Sequence, residues 1–195
     1  MSVKSILIVG VGGQGTLLAS KLLGSALVAT GTDVKVSEVH GMSQRGGSVI
    51  TYVRYAEDEG EKVASPIIGS GEADVILSFE LLEAARYLPY LRNGGAIVTN
   101  SQRMDPMPVI TGAAEYPADI VEKLRDKGAT VTAVDALELA EQAGSSKAVN
   151  VVLLGMLSKH MDIDLEYWEE AIRTGVKEKF IDINLKAFEL GRNVK

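Results

Sequence analysis

Ile6-Leu7-Ile8-Val9-Gly10-Val11-Gly12-Gly13-Gln14-Gly15-Thr16 is the stretch whose reading decides the fold. Ile6 to Val9 are four consecutive apolar residues, the mark of a short, fully buried strand. Gly10, Gly12 and Gly15 follow at G-x-G-x-x-G spacing with Gly13 as an extra glycine inside it, and an apolar run with helical spacing occupies Leu17 to Val28. Strand, glycine turn and helix in this order open a doubly wound nucleotide-binding fold. Glycine is needed because the turn is tight and backbone N–H groups must come close to an anion. The helix N-terminus behind them contributes about half an elementary positive charge. The same turn also serves simply to pack a helix on a sheet, and Gln14 stands where NAD enzymes often carry a small or apolar residue.

Working outward, Val34 to Val39 alternates as a second strand, and His40 to Gly47 is a polar, glycine-rich loop. Ser48 to Tyr55 reads as a third strand, antiparallel or at an edge, and Ala56 to Lys62 as a charged, hairpin-like excursion. Asp74 to Phe79 is another buried strand, Glu80 to Leu91 is helical, and Ala96 to Thr99 returns to the sheet after Gly94 and Gly95. Ala118 to Lys127 predicts a helix, Ala129 to Val134 a strand and Ala136 to Ala143 a helix; the remainder predicts helices at 147–161, 165–175 and 179–191. The fold class is α/β: a three-layer α/β/α Rossmann-like domain with a mostly parallel, mixed sheet and a helical C-terminal group. With no repeat and no linker, residues 1–195 are expected to form a single domain.

Composition narrows the function classes. The 195 residues are 46% hydrophobic and 24% charged, the balance of an ordinary globular protein with a sizeable core. They contain no cysteine, which removes disulfides, a thiol nucleophile and any cysteine-ligated zinc or iron–sulfur centre from these residues. With only His40 and His160, a histidine-rich metal site is also out of reach, so no metal is expected. A net charge of −6 offers no basic stripe for nucleic acid. The chain enters its first strand with no signal peptide, and its longest strongly apolar helical stretch, Ala148 to Leu157, is half the roughly 20 residues a bilayer requires. A cytoplasmic location without membrane contact is expected. Neither a G-x-x-x-x-G-K-[ST] phosphate loop nor a G-x-S-x-G elbow occurs.

The second glycine loop is the other candidate site element. His40, Ser43, Gln44 and Arg45 precede Gly46 and Gly47 directly after the second strand. In an open α/β sheet this loop and the first would both lie at the carboxyl edge of neighbouring strands, where ligands bind. Arg45 offers a planar fork for a carboxylate or phosphate; the plainer alternative is a tight turn with a surface arginine. Glu38 lies near the position of the acid that holds the ribose of NAD, or else pairs with Arg45 or a partner chain. His40 suits proton transfer by its ordinary pKa, or serves as a structural hydrogen-bonder. Glu80 and Glu83 read as acids reaching the ligand edge or, more simply, as a solvated first helical turn, Asn100 and Ser101 as residues at the same crevice, and Asn150 as a buried amide that ties two elements together or else meets a ligand.

Taken together, Gly10-Val-Gly-Gly-Gln-Gly15 and Ser37-Glu-Val-His-Gly-Met-Ser-Gln-Arg-Gly-Gly-Ser48 strongly resemble the small (beta) subunits of indolepyruvate ferredoxin oxidoreductases. More broadly they resemble the gamma subunits or domains of the 2-oxoacid:ferredoxin oxidoreductases. Gly71-Glu-Ala-Asp74, Glu80, Asn150 and Asn184-Leu-Lys-Ala-Phe-Glu-Leu-Gly191 are similar to that family too, so the likeness covers nearly the whole chain. The resemblance implies an oxidative decarboxylation of a 2-oxoacid, an aryl pyruvate by closeness to the indolepyruvate branch, to an acyl-CoA with electrons passing to ferredoxin. It implies thiamine diphosphate and iron–sulfur clusters on a large partner subunit, none bound by this chain, and coenzyme A as a possible ligand here. It also implies an α/β/α fold with a mixed sheet. Two other readings stand beside it: a stand-alone NAD(P)-binding Rossmann-type oxidoreductase, and a non-catalytic assembly module.

Overall fold

The computed structural model of the chain describes residues 3–40, 46–58 and 60–194. The apolar run at the N-terminus grows into β1 (Val3–Val11), whose residues from Ser5 onward are all buried. The chain then forms α1 (Thr16–Ala29), β2 (Val34–His40), β3 (Ser48–Ala56) and β4 (Ala73–Ser78). Next come α2 (Leu81–Arg86), β5 (Leu91–Asn100), the one-turn α3 (Met107–Ile110), α4 (Ile120–Asp126) and β6 (Thr130–Val134). It closes with α5 (Ala136–Ala143), α6 (Val149–Ser158), α7 (Leu165–Gly175) and α8 (Ile181–Arg192). Among the described residues no helix is long and apolar enough to cross a membrane.

The six strands form one mixed sheet in the order β2-β3-β1-β4-β5-β6. β1, β4, β5 and β6 run parallel, with Ile8 opposite Leu77 and Leu77 opposite Val98. β3 runs antiparallel to both β1 and β2, with Val11 opposite Ser48 and His40 opposite Val49. Two details depart from the sequence-based expectation. β2, which was expected beside β1, is pushed to the rim, because β3, in the antiparallel placement expected for it, takes the position between them. The charged segment after Ala56 is not a hairpin: β4 pairs with the opposite side of β1 from β3, so the segment must carry the chain past β1.

Side chains alternate between the two faces of the sheet and feed two cores. Ile6, Ile8, Val53, Leu77 and Val98 pack under α1 and α5 to α8; Leu7, Val9, Ile50, Ile76 and Ile97 pack under α2 and α4. This is the three-layer arrangement, with the helical C-terminal group all on one side. α6 is buried from Asn150 through Ser158, which accounts for an apolar sequence with no polar stripe. α7 instead buries only Trp168, Ala171 and Ile172, with the Trp168 ring 5.5 Å from that of Phe188 on α8.

α6 and α8 approach so closely that glycine faces backbone on both helices. A Cβ at Gly155 would overlap the Phe188 carbonyl, and one at Gly191 the Val152 carbonyl. Gly24 on α1 is different, since a Cβ there would meet only Val36 Cγ2 at an ordinary 3.7 Å. Alanine for glycine inside a helix gains about 1 kcal/mol of propensity, whereas overpacking costs about 1–3 kcal/mol or more. Gly155→Ala is therefore expected to lower the melting temperature by about 5 °C and Gly24→Ala to raise it by about 2 °C, measured by thermal unfolding.

Candidate functional site

The carboxyl ends of β1 and β4 meet the glycine turn from below. Gln14 folds back into the turn: its Oε1 accepts from the Val11 N–H at 2.7 Å and its Nε2 donates to the Phe79 carbonyl at 3.1 Å. This is why Gly10 cannot carry a side chain, since a Cβ there would lie 2.9 Å from both Gln14 Oε1 and Phe79 Cβ. The amide continues sideways. Gln14 Nε2 reaches Gln102 Oε1 at 3.4 Å, Asn100 Nδ2 donates to the same oxygen at 3.2 Å, and Asn100 Oδ1 accepts from the Ala136 N–H at 3.1 Å. A chain of side-chain amides thus ties together the ends of β1, β4 and β5 and the start of α5.

Gly13 and Gly15 hold positive φ of 102° and 89°, and Gly15 is the N-cap of α1. Asn150 at the start of α6 donates to the Gly15 carbonyl at 3.4 Å and closes on Gly15 so nearly that a Cβ would sit 3.1 Å from its amide nitrogen. Asn150 therefore joins two elements, as expected of a buried amide. Among the described residues no acceptor pairs with the N–H of Gly13 or Gly15, while the Gly12 N–H is spent on the Gly47 carbonyl at 2.9 Å.

That last bond brings the two glycine loops together. They meet not because β1 and β2 are neighbours, which they are not, but because β3 enters the sheet where β1 leaves it. Gly46 and Gly47 stand at this junction; Ser43, Gln44 and Arg45 lie outside the described residues. His40 ends β2 at the same edge. Glu38 is on the α1 face of β2, in a shallow groove with Val36, Lys21 and Val28. It is opposite Thr51, which in turn is opposite Ile8, so it is two strand spacings, about 10 Å, from β1. The acid of a dinucleotide site sits on the strand next to the glycine turn; here that strand is β3.

Glu80 and Glu83 are not a solvated helical turn. They are 1% and 4% exposed. Glu80 caps α2 by accepting from the Glu83 N–H at 3.0 Å, and its other oxygen accepts from the Met104 N–H at 3.1 Å and the Tyr116 hydroxyl at 2.5 Å. Arg103 stacks over the Tyr116 ring at 4.3 Å. Residues 101–116 thus form an arm folded over α2, and this arm is what removes water from Glu80. The sequence reading missed Gln102, Tyr116 and Ser48; the one available signal was the acid at 80 followed by another at 83, the spacing of a cap and its third helical residue. His160 is remote, lining a cavity of about 190 Å³ with Lys4, Asp74 and Arg92 at the amino ends of the strands. Burial, then Lys159, lowers its pKa.

The family described as pyruvate ferredoxin/flavodoxin oxidoreductase matches residues 5–194. The indolepyruvate oxidoreductase subunit IorB of Thermococcus kodakarensis is 48% identical over 192 residues, covering 96% of this chain and 93% of that one. The keto/oxoacid ferredoxin oxidoreductase gamma subunit of Geobacter sulfurreducens superposes with a TM-score of 0.70 at 22% identity, covering 96% of this chain and 95% of that one. A 2-oxoglutarate:ferredoxin oxidoreductase of Magnetococcus marinus, solved with 2-oxoglutarate, coenzyme A and succinyl-CoA bound, gives 0.76 at 21% identity. That match covers all of this chain but 31% of the larger one, and at such identities the two structures speak for the fold alone.

Tyr116 makes the arm testable. Burial first, then its bond to Glu80, pushes the phenol pKa above the ordinary tyrosine range. A pKa raised on folding means that the stabilisation is complete below the unfolded value near pH 10 and is lost as pH rises through the folded value. Tyr116→Phe should therefore be less stable than the unaltered chain at about pH 8, and the gap should shrink at about pH 11, as read by urea unfolding at both pH values.

Proposed function

Because the chain belongs to the pyruvate ferredoxin/flavodoxin oxidoreductase family, we propose that it is the small subunit of an indolepyruvate-type 2-oxoacid:ferredoxin oxidoreductase. The observation that carries this reading is the near-full-length identity to the IorB subunit. The enzyme would decarboxylate an aryl pyruvate oxidatively, joining the acyl group to coenzyme A and releasing carbon dioxide and two electrons to ferredoxin. Residues 1–195 act as one gamma-type domain, a reading supported by a single sheet that takes in all six strands. A cytoplasmic location goes with it.

The chain's own residues set limits on its share of the chemistry. A 2-oxoacid loses carbon dioxide only into an electron sink, which thiamine diphosphate supplies when bound and which ordinary side chains do not. Single electrons need a redox centre, and 195 residues without cysteine offer no thiolate ligands for a cluster. Both groups are assigned to a larger partner subunit. What this chain contributes is a binding edge, and coenzyme A is the ligand proposed for it. Support comes from the N–H groups of Gly13 and Gly15 at the α1 N-terminus, which meet no acceptor among the described residues, and from Gly47 bonded to the first turn beside them. Gly10 and Gln14 shape the first turn, Gly12 and Gly47 join the two, and Gly46 with His40, Ser43, Gln44 and Arg45 completes the second. In this scheme Arg45 grips a phosphate. Glu38 is left at the flank, which deprives the dinucleotide alternative of its ribose anchor.

Two measurements test the assignment. The purified chain should be colourless above the aromatic band and inert toward indolepyruvate, coenzyme A and a viologen acceptor, and should gain turnover on mixing with its large partner. Oxidation of a 2-oxoacid by the chain alone would overturn it. In the assembled enzyme, Arg45→Ala should raise KM for coenzyme A about ten- to hundredfold, the worth of one charge-assisted hydrogen bond, with the fold unchanged. An unchanged KM would remove Arg45 from the site.

A further inference from the structure

Glu83 carries more than its own helix requires. α2 already has a cap in Glu80, yet a second carboxylate three residues on is also withdrawn from water. Burying a carboxylate is unfavourable unless its oxygens are paired, and the partners of Glu83 are specific. Its Oε1 accepts from Arg86 Nε at 3.0 Å. Its Oε2 accepts from the hydroxyl of Ser48, the first residue of β3 and 35 positions away in sequence. A serine hydroxyl has one proton to give, so with that proton directed at Glu83 the Tyr87 hydroxyl, 3.1 Å from Ser48 Oγ, must be the donor to it. Ser48 is thereby held from two sides at the point where Gly46-Gly47 passes into the strand. The Gly47 carbonyl in turn receives the Gly12 N–H.

We propose that Glu83 is a positioning residue for the glycine edge, acting through Ser48 to fix the Gly46–Gly47 turn and, through the Gly47 carbonyl, the Gly12 end of the first turn. The two turns have no side chain between Gly12 and Gly47 to hold them in register, and glycine is the residue that loses most freedom on ordering. A rigid outside anchor is what such a pair needs if it is to present a fixed surface to a ligand. α2 supplies one anchor on each side: Glu80 for the arm of residues 101–116 and Glu83 for the second glycine loop. The kinetic consequence of this proposal rests on the coenzyme A reading; its structural consequence does not.

The test uses the full chain carrying Glu83→Ala, Glu83→Gln or Ser48→Ala, first alone and then assembled with the partner subunit. Amide hydrogen exchange at Gly12 should speed by about tenfold in both alanine variants while β4 and β5 stay protected. Glu83→Gln, which keeps an oxygen acceptor for Ser48, should restore slow exchange. In the assembled enzyme the alanine variants should raise KM for coenzyme A by about tenfold with kcat within about twofold, and the glutamine variant should behave as the unaltered enzyme. Unchanged exchange at Gly12, acceleration confined to residues 81–87, or a glutamine variant as loose as the alanine one would each overturn the positioning role. Should Glu83→Ala fail to fold, Ser48→Ala decides alone, since it removes only a hydroxyl. Faster exchange at Gly12 with no change in KM upholds the positioning role and overturns the coenzyme A assignment instead.

Discussion

The hydrogen bond from the Gly12 N–H to the Gly47 carbonyl continues the β1–β3 ladder one step beyond Val11 and Ser48, and the whole glycine edge depends on that continuation. In a run of parallel strands the loop leaving one strand and the loop entering the next lie at opposite ends of the sheet. An antiparallel neighbour puts them at the same end. β3 therefore delivers Gly46-Gly47 to the first glycine turn, and it does so while displacing β2, with Glu38 and the end at His40, one strand outward. One reversed strand gives the glycine turn a different neighbour from that of a dinucleotide-type opening.

The consequence is visible in how the turn spends its hydrogen bonds. Val11 and Phe79, at the ends of β1 and β4, are bridged by the Gln14 amide, so the space between these two strands is filled by the protein itself. Gly12 is committed to Gly47. Among the described residues, the N–H groups of Gly13 and Gly15, with the α1 N-terminus behind them, are left without an acceptor. Buried polar groups at this edge form a connected set rather than isolated pairs: amides from Gln14 to Asn100 on one side, carboxylates at Glu80 and Glu83 on the other. Such networks rigidify when every member is satisfied, which holds this surface in one shape.

The opposite side of the sheet is built on apolar contact and close backbone approach. α6 is enclosed by the sheet, α1, α5 and α8, and its contact with α8 tolerates no side chain at Gly155 or Gly191. Asn150, at its amino end, links this apolar layer to Gly15. The glycine turn is thus braced from the helical layer by Asn150, from within by Gln14, and from the second loop by Gly47.

Much of this was legible in the amino-acid order. A buried tetrapeptide before G-x-G-x-x-G gave the first strand and helix, and Asn150 in an apolar run had to find a partner. The absence of cysteine leaves these residues no thiolate ligands for a cluster. These are local facts of periodicity, turn chemistry and composition, and a chain expresses them within a few residues. Pairing order is not local. Nothing in Ser48 to Tyr55 states that this strand enters between β1 and β2, because the hydrophobic alternation is the same whichever neighbour it takes. For the same reason Glu80 and Glu83 read as exposed acids: their partners Tyr116, Met104 and Ser48 lie between 24 and 36 positions away, and only the folded arm and the antiparallel strand bring them close enough to take the place of water.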